Sequence, residues 1–260
     1  MAIVKLSDEE YFKIPAISNS LLSRFARCPA AASVPIEATP AMSLGTALHC
    51  CVLDGAAEFQ KRFYVMDKAD GRTKEGKAIK AQAEIEAQGR TIISMDDMMK
   101  VRDMAASVYN HPSANDFLRD GKPEMAITWK DKETGIDCKA KADWISPNVL
   151  IDLKTTQSAD QWVFQRTIWN MGYAKQLGLY HDGLLANLFP VDKCVIIAVE
   201  SSAPYCCNVF NISDDLLEAG KGQYRKLLRE YKACADSGQF PAYQCGGVID
   251  VQLPAFARED

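Results

Sequence analysis

The sequence predicts an α/β fold, a central mixed β-sheet flanked by helices in one domain. Three observations predict it. Residues 125–154 read as three strands joined by two turns, helical stretches with N-cap signals lie on both sides of them, and Cys194 to Val199 is an apolar run of strand length. The 260 residues, 48% hydrophobic and 25% charged, can bury a core that needs no staples.

The elements follow in order. Ser18 or Asn19 can cap a helix whose Leu21, Leu22 and Phe25 form an apolar stripe, and Pro29 ends it. Residues 30–41, rich in Ala and Pro, read as a loop. Residues 42–53 read as a buried helix containing Gly45 and His49. Gly45 would let another backbone approach, at a helix cost of about 1 kcal/mol relative to Ala. Residues 66–76 read as an exposed loop before a helix over 77–88, and residues 91–93 as a short strand. Ser94 or Asp96 starts a helix to about Tyr109, and a short helix follows Pro112 to Leu118.

The pattern then changes. Residues 125–129 read as strand, 130–135 as turn and 136–145 as a loosely alternating strand. Ser146, Pro147 and Asn148 turn the chain into a strand over 149–154. Helices are expected at about 158–169 and 173–187, and strands at 194–199 and 207–210. Ser213 caps a long last helix to about Ala235, with Asp214, Asp215 and Glu218 near its start, where the helix dipole favours acids. The expected division is a helical part over 1–120, a sheet-bearing core over 121–240 and an irregular tail over 241–260.

Charge and cysteine usage narrow the function classes. The net charge of −4 gives no global positive field to draw in nucleic acid. Lys139, Lys141, Arg166, Lys175, Lys221, Arg225, Lys226 and Arg229 could still line one channel. The nine cysteines contain no CxxC, which argues against a zinc ribbon. Met1 to Lys13 is mixed and charged, unlike a signal peptide, so a reducing, cytoplasmic compartment with free thiols is expected. No run of about 18 apolar residues predicts a transmembrane helix.

The chemistry concentrates around Asp152-Leu153-Lys154. An apolar strand delivers an acid and a lysine two residues apart, so both leave the same face. Asp143 offers a second strand-borne acid nine residues upstream. Two such carboxylates can hold Mg²⁺, a hard cation that takes oxygen ligands, and Lys154 could position a water or neutralise developing charge. His49 offers a neutral imidazole nitrogen, Glu124 a further carboxylate, and the Leu153 carbonyl an additional ligand. Gln176 and Tyr180, spaced i,i+4, share a helical face and could bond a phosphate oxygen or orient the lysine. Taken singly, each has a bland reading: a charged strand end, a core histidine, a half-buried polar pair, a solvated strand start. His111 and His181 read as surface or structural.

The order Gly45-x-x-x-His49, Asp143, Asp152-x-Lys154, Gln176-x-x-x-Tyr180 resembles the RecB-like branch of the PD-(D/E)xK nuclease superfamily. The contexts Ile17-Ser18-Asn19-Ser20, Gly45-Thr46-Ala47-Leu48-His49-Cys50, Thr134 to Asp143 and Ile151 to Thr156 resemble the nuclease domain of the exonuclease VIII (RecE-type) family. The resemblance spans about Ile17 to Tyr243 and implies a restriction-endonuclease-like core. It implies a Mg²⁺-dependent exonuclease, with Mn²⁺ as a substitute, on linear double-stranded DNA. Degradation would run 5′→3′ and leave 3′ single-stranded tails for a RecT-type annealing protein in phage or prophage recombination. It assigns metal ligation to the positions of His49, Asp143 and Asp152, catalysis to Lys154, and its downstream motif to Gln176 and Tyr180. It further implies a ring-shaped homo-oligomer. The long N-terminal region of exonuclease VIII has no counterpart here. Cys28, Cys234 and Cys245 lack the spacing of the iron–sulfur cluster found in some relatives, so no cluster is expected. The rival readings are a non-catalytic DNA-binding protein on a decayed nuclease fold, and an endonuclease or nickase of the same superfamily.

Overall fold

The computed structural model describes residues 1–35, 37, 39–70, 72–243 and 247–253. Of the tail expected over 241–260, residues 244–246 and 254–260, including Cys245, lie outside the described residues; 241–243 and 247–253 carry no helix or strand.

Six strands form a mixed sheet in the order β1-β4-β5-β6-β7-β8. They are β1 (Ala2–Lys5), β4 (Lys122–Lys130), β5 (Asp137–Ser146), β6 (Asn148–Thr156), β7 (Val191–Glu200) and β8 (Cys207–Asn211). Only β6 and β7 run parallel; every other neighbour pair is antiparallel. The expected meander is β4-β5-β6. Asn148 turns β5 into β6 with φ 61°, a left-handed conformation that asparagine tolerates well. A separate parallel pair joins β2 (Phe63–Met66) to β3 (Thr91–Ser94).

Alternation along β6 and β7 divides two cores. Leu150, Cys194, Ile196 and Ala198 face one cluster. Ile151, Leu153, Val195, Ile197 and Val199 face the other. The first cluster is closed by α2 (Asn19–Arg27), α8 (Gln161–Asn170), α9 (Tyr173–Ala186) and α10 (Asp214–Ser237). The second is closed by α3 (Pro40–His49), α4 (Ala56–Arg62), α6 (Met95–Asn110) and α7 (Pro112–Phe117). Two further helices, α1 (Asp8–Lys13) and α5 (Lys74–Ala87), flank the sheet and the small strand pair. The side chains of Ser18, Ser94 and Ser213 accept the N-cap bonds expected of them.

Several boundaries differ from expectation. The part over 1–120 contains two strands that were not expected: β1, an edge strand of the main sheet, and β2, which pairs with the expected strand β3. Residues 29–33 form a 3₁₀ turn, and α3 begins at Pro40 behind the N-cap Thr39, where proline's missing N–H costs nothing. The helix expected to reach 53 changes at Cys50 into one wide turn, closed by the Gly55 N–H on the Cys50 carbonyl. Thr73 caps α5 three residues earlier than expected. Gly45 is not the site of a tight approach. A Cβ there would meet Thr155 Oγ1 at 3.5 Å, an ordinary contact.

The tight approach lies between α9 and α10. A Cβ on Gly220 would fall 2.2 Å from the Ala174 carbonyl oxygen, and one on Gly178 would fall 2.8 Å from the Lys221 amide nitrogen. Both obstacles are backbone and cannot turn aside. Gly220→Ala is expected to cost about 1–3 kcal/mol. Gly222→Ala, on the same helix with nothing within 4 Å, is expected to gain up to about 1 kcal/mol. Urea midpoints of the two variants should move in opposite directions.

Candidate active centre between two parting strands

Strands β5 and β6 pair at Trp144↔Ile151, Ile145↔Leu150 and Ser146↔Val149, and then part. At its other end the same edge of β5 bonds to Ile17 instead: Ile17 N–H donates to Asp137 and Lys139 N–H donates to Ile17. The gap between these attachments holds the site. Asp143 and Asp152 are the first residues beyond the pairing. The Leu153 N–H, which regular pairing would direct to a β5 carbonyl, donates to Asp143 Oδ2 at 2.9 Å.

A kink accompanies the gap. The β5 residues facing the first core are Cys138, Ala140 and Ala142, and then Ile145, so the alternation slips by one at Asp143. Opposite, β4 pairs through Pro123↔Trp144 and Met125↔Ala142, with Glu124 between them at φ 55°. A left-handed glutamate inside a strand is strained by on the order of 1–3 kcal/mol. Such strain persists where the surroundings overdetermine it. Here β1 and β5 hold β4 on either side, and Lys141 grips the carboxylate at 2.7 Å.

The kink turns Glu124 toward Asp143 and His49. One donor atom from each of the three lies within 4.8 Å of the others. His49, the last residue of α3, places Nδ1 3.6 Å from Asp143 Oδ2. Burial and then the Lys154 charge lower its pKa, leaving a neutral imidazole with a free lone pair. Asp152 is 2% exposed at its side chain. Its Oδ1 accepts from the Gln176 amide at 2.7 Å. Its Oδ2 lies 2.7 Å from the Lys154 ammonium and accepts from no other donor among the described residues. A carboxylate oxygen with a single partner keeps a lone pair for a cation. With His49, Glu124 and Asp143 alongside, the donor set is one nitrogen and several carboxylate oxygens, which fits a divalent cation.

Burial raises both aspartates to about 6, Asp143 also through Glu124 and Asp152 also through Asp143, while Lys154 opposes. Burial tends to discharge Lys154, but Asp152 and Asp143 outweigh it and hold the ammonium charged. The Tyr173 ring centroid lies 5.0 Å from that ammonium. Tyr180 is half-buried one turn beyond Gln176 on the same helical face, its hydroxyl kept neutral mainly by desolvation.

The structure therefore brings together His49, Glu124, Asp143, Asp152, Leu153, Lys154, Gln176 and Tyr180. Gln176, expected to bond a phosphate oxygen or orient the lysine, donates to the Asp152 carboxylate here. Two neighbours were missed. Tyr173 precedes Gln176 by three residues and so shares its helical face, a spacing that could have indicated it. Lys141 precedes Asp143 by two and bridges Glu124 to Asp8 at 2.7 and 2.6 Å. His111 caps α7 by accepting from the Ala114 amide, a structural role. His181 lies 3.5 Å from Asp182, away from the site.

Comparison with known proteins is consistent with this arrangement. A family model described as "PDDEXK-like domain of unknown function" (DUF3799) matches residues 18–252. A solved structure from Eubacterium rectale, described as a candidate exonuclease, superposes over 93% of this chain and 96% of its own. The identity is 13% and the TM-score 0.59, so the shared feature is the fold. A second solved structure, SSO0001, aligns over 85% of this chain and 81% of its own at 12% identity, with a TM-score of 0.34, too low to carry an argument. No curated protein matches the sequence. Among the described residues, no helix is long and apolar enough to cross a membrane.

The raised aspartates make stability depend on pH. In the folded, metal-free protein each holds its proton to about pH 6, whereas in the unfolded chain it releases it near 4. Stability therefore falls as pH rises from about 4 to 6 and stays reduced above. Asp143→Asn keeps the acceptor for Leu153 and removes the charge. At pH 7.5 in chelator it is expected to melt above the parent protein, by on the order of 2 kcal/mol, a difference that shrinks toward pH 4.5. Thermal melts at the two pH values check it.

Proposed function

Because the chain belongs to the DUF3799 family of PDDEXK-like domains, we propose that it is a divalent-cation-dependent deoxyribonuclease that degrades linear duplex DNA from its ends. The observation that carries the reading is one oxygen. Asp152 Oδ2 is buried with the Lys154 ammonium as its single partner, beside Asp143, itself raised by burial. His49, Glu124, Asp143 and Asp152 would hold the cation, with the Leu153 carbonyl as a further ligand. Mg²⁺ is the ion of choice for the oxygen donors, and Mn²⁺ would substitute. When bound, the cation lowers the pKa of a water and offsets charge on the phosphate.

The protein's own groups supply the rest. Lys154, kept charged by Asp152 and steadied by the Tyr173 ring, directs ammonium protons at the attacking water or a phosphate oxygen. Gln176 fixes the rotamer of Asp152 by occupying Oδ1 and leaving Oδ2 for the ion. Tyr180, half-buried and neutral, keeps a hydroxyl proton to donate. The order of the motifs along the chain, and the exonuclease description of the E. rectale protein, favour attack at ends over attack within a duplex. The RecE-type contexts support the finer proposal: 5′→3′ degradation, a 3′ tail, a single-strand annealing partner and a ring-shaped assembly.

The test uses a 5′-phosphorylated linear duplex and a covalently closed circle of the same sequence. With Mg²⁺ the protein is expected to consume the linear form and spare the circle, and to stop in chelator. Lys154→Ala and Asp152→Ala are expected to lose about 10³-fold or more. Equal degradation by all three proteins removes the catalytic assignment. Cleavage of the circle makes the protein an endonuclease or nickase. Binding of DNA without hydrolysis under any divalent cation makes it a non-catalytic relative.

A further inference from the structure

The eight basic residues offered as a channel lining divide in the folded protein. Lys139 donates to the Tyr11, Phe12 and Ile14 carbonyls at the end of α1. Lys141 is held between Asp8 and Glu124, Lys221 and Arg225 meet Asp182, and Arg229 meets Glu133. These five are engaged internally. Arg166 and Lys175 meet no carboxylate among the described residues, and Lys226 reaches Glu230 only at 3.9 Å. Arg27, at the end of α2, is likewise without an acid among the described residues.

Lys175 is the unusual member. It is 6% exposed, and its ammonium donates to one neutral partner, the Ser23 hydroxyl, at 2.7 Å. Burial pulls its pKa down to about 8. A buried ammonium without a counter-charge lowers stability. It lines an open cavity of about 490 Å³ between α2, the α8–α9 corner and α10, the size of a small-ligand site. Lys226 lines the same cavity, and Glu230 is its one acid.

Trp169 forms part of the wall and is 47% exposed. It closes a stripe of Trp162, Arg166 and Trp169 on the outer face of α8, while Phe164 and Ile168 face the core. The helix contains no acid, and Trp162 is 71% exposed. Exposed indoles beside unpaired cations suit a polymer of phosphates and flat bases.

We infer that the corner where α2, α8, α9 and α10 meet binds a single strand of nucleic acid, with phosphates on Lys175 and Lys226 and an unpaired base stacked on Trp169. The strand must be single, because an indole in a cavity wall can stack only on a base whose face is free. The corner adjoins the active centre. The first turn of α9 places Tyr173 against Lys154 and Gln176 on Asp152, and Lys175 lies between them on the other side of the helix. The identity of the polymer as DNA rests on the proposed nuclease function.

The test is fluorescence anisotropy of the full chain in chelator, so that nothing is hydrolysed, with a labelled oligo-dT of about 20 nucleotides and a blunt duplex of equal length. Single-strand binding should weaken about tenfold in Trp169→Leu and in Lys175→Met, a neutral residue of similar shape that also removes the buried charge. Lys226→Ala should flatten the salt dependence by about 0.7 in the log–log slope. Lys193→Ala, at the opposite end of β7, should change neither. Oligonucleotide binding equal to the parent's in all the variants overturns the inference, as does binding of the duplex alone. Self-association that disappears in Trp169→Leu while oligo-dT binding persists assigns the face to a second copy and overturns it too. Hydrolysis of linear DNA by the parent is read separately. If it is present while the variants bind normally, the nuclease reading stands and this inference falls. If it is absent while the variants bind weakly, the reverse holds.

Discussion

The bond from the Leu153 amide to the Asp143 carboxylate replaces a rung of the sheet, and the candidate active centre depends on that replacement. A backbone N–H in the middle of a sheet needs an acceptor. Supplying it from a side chain lets β5 and β6 part without leaving the amide empty. Parting exposes the inner edges of both strands to His49 on one side and to α9 on the other. The kink at Glu124 and Asp143 belongs to the same event, because a strand that leaves its neighbour must re-aim its side chains. One irregularity thus converts two ordinary strands into a cradle for charge.

The electrostatics follow from this geometry. Three carboxylates and a lysine are drawn together in one pocket, and among the described residues Lys154 and Lys141 supply its positive charge. Without an ion, burial and then neighbouring charge raise Asp143 and Asp152; with one, the same crowding becomes affinity. The net charge of −4 says little about partners for this reason. Several acids belong to the cradle, while Arg166 and Lys175, without acid partners among the described residues, sit at a different corner.

The motifs were legible because their spacing survives folding. Asp152 and Lys154 share a face through the period of a strand, and Gln176 and Tyr180 share one through the period of a helix. Other features left weaker traces. Nothing in Pro123-Glu124-Met125 announces a left-handed residue, since neither glycine nor asparagine is there; the strain is imposed by the neighbouring strands. The strands β1 and β2 are four residues each, too short for alternation to register, and exist through their pairing. Thr39-Pro40 did carry a helix start, an N-cap followed by a proline in the first turn, but the surrounding alanines and prolines masked it as loop. Tyr173 was hidden among apolar helix positions, where an aromatic residue is more often core.

The edge strand β1 has a consequence for how the protein comes into being. Its residues pair with β4 in the register Ile3↔Ile127 and Lys5↔Met125, ending beside Glu124. Asp8, just beyond, holds Lys141, and Lys139 closes the end of α1. The residues of β1 therefore wait for partners more than a hundred positions later, and α9, with Gln176, comes later still. Contacts of such sequence separation form slowly and late. The cradle therefore cannot be assembled until β1, the meander and α9 have all been made, so the acids and the lysine stay apart in any shorter piece of nascent chain.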